Sequence, residues 1–192
     1  MSALIRAIDG LNDRVGTAVA WFTLAMVLVQ FVVVILRYIF GVGSLFLQES
    51  IVYLHGTMFM LGSAYTLLHN GHVRVDVFYR AADPRWKAKV DLFGYLALLI
   101  PVCVLILVYS WPYVANSWTS LEGSRETSGI PAVFLLKSVV LLFCALMILQ
   151  GVAQALKALF VLTGAWTPEQ AYGSDEATDS AELPSATSGG RS

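Results

Sequence analysis

Four apolar stretches separated by short polar ones set the pattern of this chain. The first covers about 15–36, with WFTLAMVLVQFVVVIL at its centre, and the second about 47–68. The third covers about 90–109 and the fourth 131–160. A helix needs about 20 apolar residues to cross a bilayer, so each stretch predicts a transmembrane helix. The fourth would be about 45 Å long at 1.5 Å per residue, and must tilt or project beyond the lipid. Ahead of the first span, Leu4, Ile5, Ile8, Leu11 and Val15 recur at helical spacing opposite Arg6, Asp9, Asn12 and Asp13. That pattern predicts a short amphipathic helix lying in the membrane interface. From Gly164 onward the chain is rich in Ser, Thr, Gly, Ala and acidic residues, the composition of a disordered tail. The expected fold is an all-α integral membrane protein. It comprises a four-helix membrane domain over 1–163, including the interfacial helix, and a disordered acidic tail over 164–192.

Composition agrees. Of 192 residues, 57% are hydrophobic and 13% charged, with mean hydropathy +0.71. Soluble domains carry about 45–50% apolar and about 25% charged residues. A net charge of −1 gives no electrostatic case for nucleic acid. Cys103 and Cys144 lie in separate apolar runs with no CxxC or Cys/His metal spacing, so they read as buried structural thiols. The first apolar core exceeds the usual ~7–15 residues of a secretion signal, and no small-x-small site follows it. It reads as a retained span.

Charge placement predicts orientation. Arg74, Arg80, Arg85, Lys87 and Lys89 lie between spans two and three, Arg6 and Arg14 before span one, and Lys157 and Arg191 towards the C-terminus. The opposite side holds Arg37, Arg125 and Lys137. Positive residues stay inside, so both termini and the 69–89 connection are expected in the cytoplasm. Trp111, Tyr113 and Trp118 fit the outer aromatic belt, Pro101 predicts a kink in span three, and Pro112 disturbs its continuation, although a helix could resume toward Trp118.

Polar groups within spans are expensive and therefore informative. His55 could be a haem ligand or proton carrier, but His55, His69 and His72 all belong to span two or its exit, not to facing helices. A hydrogen bond to a neighbouring helix is the preferred reading. Glu49 opens span two and Arg37 closes span one, near enough in sequence to pair. Lys137 can snorkel to the outer headgroups or meet Glu49, Glu122 or Glu126. Gln30, Gln150 and Gln154 can bond between helices or to a partner, for about 1 kcal/mol or less each. A transport path would show more charged or broken-helix positions near the midplane. No nucleophile–base pair shares a face, so no enzyme and no catalytic residue is expected.

LLHNGHVRVDVFYR, 67–80, holds His69 and His72 three residues apart. Asn70-Gly71 favours a helix end. Asp76 is the only nearby carboxylate, so a metal site is disfavoured. The segment reads as a surface connector to a helix starting at Asp83-Pro84.

Four motifs recur in order. Leu47-Gln48-Glu49-Ser50 opens span two and Gly62-Ser63-Ala64-Tyr65 follows; then come Gly71-His72-Val73-Arg74-Val75-Asp76 and Ser128-Gly129-Ile130-Pro131, with Ser128 a candidate cap at the start of span four. Their order and spacing resemble the DctQ-type small membrane subunit of tripartite ATP-independent periplasmic (TRAP) transporters, over about Leu4 to Leu162. The chain departs where family members often carry a tryptophan and paired acids, around Leu47-Gln48-Glu49, and in its acidic tail.

The resemblance implies an accessory subunit of the bacterial inner membrane that braces a large multi-span permease. A periplasmic binding protein would deliver the substrate, usually an organic acid, and a sodium gradient would drive uptake. Sodium would bind the partner, so no cofactor is expected here. Glu49, His55, His72, Arg74, Asp76, Gly129, Pro131 and Lys137 then become structural or partner-interface candidates, with Arg74 and Asp76 forming salt bridges and His72 capping the turn. Basic residues of the 69–89 connection would meet lipid headgroups. The alternative is a membrane anchor or cytochrome-like subunit of a respiratory enzyme.

Overall fold

A computed structural model describes residues 2–72, 83–167 and 170. Every regular element among them is helical. Helix α1 spans Ser2–Tyr38, α2 Leu45–Leu68, α3 Pro84–Phe93 and α4 Ile100–Thr119, with a π-helical stretch at Gly94–Leu99 joining the last two; α5 spans Val133–Leu162. Four rods are long and apolar enough to cross a membrane: Ser2–Tyr38, Leu45–Leu68, Arg85–Thr119 and Val133–Leu162.

The rods form an open row, not a closed bundle. Helix α5 is central: α2 packs on one side of it and the α3–α4 rod on the other, while α1 lies along α2 and touches α5. The shared core contains Ala64 and Leu67 of α2, Tyr95 and Cys103 of the third rod, and Met147 and Ala155 of α5. A smaller cluster of Ala88, Ala158 and Val161 joins α3 to α5. An open row leaves wide apolar faces outside: Val27, Leu28 and Phe31 on α1, and Leu105 and Val108 on α4, are exposed.

With the start of α1 at the bottom, α1 and the third rod run up, and α2 and α5 run down. Helices α1 and α2 pack tightly at Gly16, where any added methyl would overlap the Tyr65 ring. Small residues let membrane helices close to van der Waals contact where lipid offers no hydrophobic drive between them.

Three rods end in the same way. Asn70, Leu121 and Gly164 each take positive φ (52°, 46° and 74°) after the last turn. The next amide then reaches back to a freed carbonyl: Gly71 to Thr66 at 2.8 Å, Glu122 to Ser117 at 3.0 Å and Ala165 to Phe160 at 3.0 Å. This satisfies carbonyls that would otherwise lack partners. Asn70-Gly71 thus ends α2, as its composition predicts.

Two expectations need correction. The amphipathic N-terminal stretch is not a separate interfacial helix, since α1 runs unbroken from Ser2 to Tyr38. Its inward face is Ile5, Ile8, Asn12, Gly16 and Val19, while Leu4 and Leu11 point outward. Ser128 does not cap the fourth span either, because α5 begins at Val133 after Ala132. In a regular α-helix the Pro101 ring would crowd the carbonyl of Ala97, and the wider π turn at Gly94–Leu99 lies just ahead of it. Pro112 stays inside α4, which continues to Thr119.

Candidate functional site: polar clasps at the two ends of the row

At the upper end the connection between α4 and α5 folds down onto the start of α2. Glu49, in the second turn of α2, receives the Ser124 hydroxyl on Oε1 at 2.5 Å and the Ile130 amide on Oε2 at 2.6 Å. Gly129 lies against this contact, where a side chain would run into Ser124 and the Glu49 carboxylate. Pro131 follows, ahead of α5. Glu49 is therefore turned to this connection and not to Arg37.

Beside it, Glu122 accepts from the Ser117 hydroxyl at 2.7 Å and forms an ion pair with Lys137, one turn into α5. The Lys137 ammonium also sits 4.0 Å over the Tyr113 ring. The hydrogen bond from Lys137, then that from Ser117, holds the Glu122 carboxyl below its ordinary value. Trp118 donates its indole N–H to Ser138 at 2.7 Å and meets Phe134 edge-on at 4.7 Å. Of the acids that Lys137 could meet, Glu122 is the one it takes.

At the lower end three rods converge on a buried polar chain. Gln150 of α5 accepts from the Asn12 amide at 2.7 Å and donates to Asp9 at 3.0 Å. The other Asp9 oxygen pairs with Lys157 at 2.8 Å. One helical turn from Gln150, Gln154 donates to the Leu67 carbonyl at the end of α2, at 3.3 Å. Asn12, Gln150, Gln154 and Lys157 are all buried. At the rim, His69 meets Asp13 at 3.2 Å and its ring lies 4.3 Å from Tyr65.

Sequence reasoning put Asp9 and Asn12 on a water-facing side and counted Lys157 only as a topology charge. The available signal was spacing: Gln150, Gln154 and Lys157 share one face of α5, as Asp9, Asn12 and Gly16 do on α1. Arg74 and Asp76 lie outside the described residues. His72 is exposed just below α2 and makes no hydrogen bond among the described residues. His55 differs from expectation: among the described residues it bonds no neighbouring helix, and it faces outward and stacks on Phe59 at 6.2 Å.

Chemically, the arrangement joins helices. Described ion pairs sit at the two ends of the row, and no three His, Cys, Asp or Glu side chains converge among the described residues. The apolar middle of α1 and α2 holds only Gln30 and His55 as strongly polar groups.

The family model of the DctQ component of tripartite ATP-independent periplasmic transporters matches residues 26–161. This chain belongs to that family. It is a component of a transporter, not an enzyme, and a multi-pass protein of the inner membrane. It is similar to the C4-dicarboxylate TRAP transporter small permease protein DctQ of Vibrio cholerae serotype O1 (strain ATCC 39315 / El Tor Inaba N16961), at 30% identity over 116 residues. That match covers 59% of this chain and 48% of the relative, so the chain spans about half the length of the curated relative it matches. No solved structure gives a significant match.

Proposed function

We propose that this chain is the small permease subunit that braces a large permease for sodium-driven uptake of an organic acid delivered by a periplasmic binding protein. The observation that carries this reading is the open row clasped at both ends. Such a row is held rigid by its polar ends and presents broad apolar faces to a neighbour, while offering no charged path across its middle. The relative's printed substrate makes a C4-dicarboxylate the first organic acid to test. Sodium and substrate would bind the partner.

The excess of Arg and Lys at the lower end supports an orientation with both termini and the 69–89 connection in the cytoplasm. The Glu49 and Glu122 clasps would then face the periplasm, where the binding protein arrives. The large permease should co-purify with a tagged copy of this chain when the two are co-expressed. Purification of this chain free of it, from membranes in which both are present, would overturn the proposal. A reporter fused after Gly164 should be active in the cytoplasm, and activity only outside it would reverse the orientation.

A further inference from the structure

A groove of about 730 Å³ runs between α1 and α2. Gly16, Thr17, Ala20 and Thr23 form one wall, and Phe59, Gly62 and Ser63 belong to the other. Thr23 touches Met58, with its hydroxyl 3.0 Å from the sulfur, so the flank above this contact can be followed in register. On α2, His55 stands one turn above Phe59 and stacks on it. On α1, Gln30 lies seven residues above Thr23 and so on the same helical face.

His55 and Gln30 are both exposed, and neither is hydrogen-bonded among the described residues. Counted from the upper ends of their helices at 1.5 Å per residue, they lie about 12–15 Å deep. Lipid tails cannot hydrogen-bond, and an unpaired polar side chain at that depth is costly. Small residues (Gly16, Thr17, Ala20, Gly62 and Ser63) make up much of the groove below them, beside Phe59 and Tyr65, which leaves room for the ridge of another helix. A second copy of this chain would offer the same concave flank, and two grooves do not fill one another.

We propose that this flank, from Thr17 and Ser63 up to His55 and Gln30, seats a transmembrane helix of the large permease that carries a hydrogen-bonding side chain level with His55. The inference rests on the function proposed above and adds the face through which it acts.

The test uses the full chain co-expressed with the large permease in native membranes, with a benzophenone amino acid replacing Phe59 or, as a control on the far side of the row, Val108. Cross-linking to the permease is expected from position 59 and at least about tenfold less from 108. Cross-linking from 108 but not 59, or from 59 only to lipid or to a second copy, would overturn the proposal. Co-purification without a cross-link at 59 sinks this face alone, whereas no co-purification sinks the parent reading with it. His55→Leu should weaken retention of the permease by roughly threefold, the loss of one interhelical hydrogen bond, with His55→Gln closer to wild type. Unchanged retention in His55→Leu would remove His55 from the interface. Ser63→Trp, which blocks the groove, should abolish retention, and full retention would contradict the seating.

Discussion

A methyl group built on Gly129 would stand 2.7 Å from Glu49 Oε1 and closer still to the Ser124 side chain. The upper clasp therefore closes only because residue 129 has no side chain. Gly129→Ala should push the connection off α2, break the Ile130–Glu49 bond and lower the unfolding midpoint in detergent by about 2–4 °C. Glu49→Gln should shift the midpoint in the same direction, and limited proteolysis between 120 and 132 should accelerate in both. An unchanged midpoint in Gly129→Ala would mean that the clasp does not hold the connection.

The Glu122 carboxyl, held low by Lys137 and Ser117, gives the upper end a pH signature. A folded-state pKa below the ordinary value of 4.5 means stability that is fully present above that value and lost as pH falls through the folded one. The midpoint gap between wild type and Glu122→Gln should hold steady from neutral pH down to about 5 and close on further acidification. A gap that widened with acid would reverse the assignment.

At the lower end Gln150 and Gln154 separate by how fully they are satisfied. Gln150 uses both ends of its amide, on Asn12 and Asp9, whereas the Gln154 carbonyl oxygen is buried without a partner among the described residues. Gln150→Leu should cost about 1–3 kcal/mol, because it strands buried Asn12 and half of Asp9. Gln154→Leu should cost less, since it removes an unsatisfied oxygen along with two long bonds, to the Leu67 and Leu68 carbonyls at 3.3 and 3.5 Å. Chemical denaturation of the two variants side by side checks the order.

Gly16 and Tyr65 form a tight contact between α1 and α2. Gly16→Leu should cost about 1–3 kcal/mol through overpacking. Tyr65→Ala in the same chain should recover part of that loss, because it vacates the volume the new side chain needs. Additive losses in the double variant would show that the two do not share one site.

The four spans were legible because apolar length alone identifies a membrane helix, and Asn70-Gly71 marked the end of α2 through its turn chemistry. The clasps were not legible. Helical periodicity separates an apolar from a polar face, but it cannot distinguish a polar face turned to water from one turned to a partner. Asn12 belongs to the second kind, its partner Gln150 being 138 residues away. Ser128 failed as a cap for a similar reason: the Ile130 amide goes to Glu49, 81 residues earlier in the chain. Lys137 was partly legible, since its acidic partner Glu122 was one of three acids expected at the same end of the spans.

Sodium-driven uptake in sealed vesicles tests the central claim most directly. Vesicles holding this chain alone should accumulate no C4-dicarboxylate under an inward sodium gradient, whereas vesicles holding it with the large permease, supplied with the binding protein, should accumulate it. Uptake by this chain alone, or undiminished uptake by the permease and binding protein without it, would contradict its role as a brace.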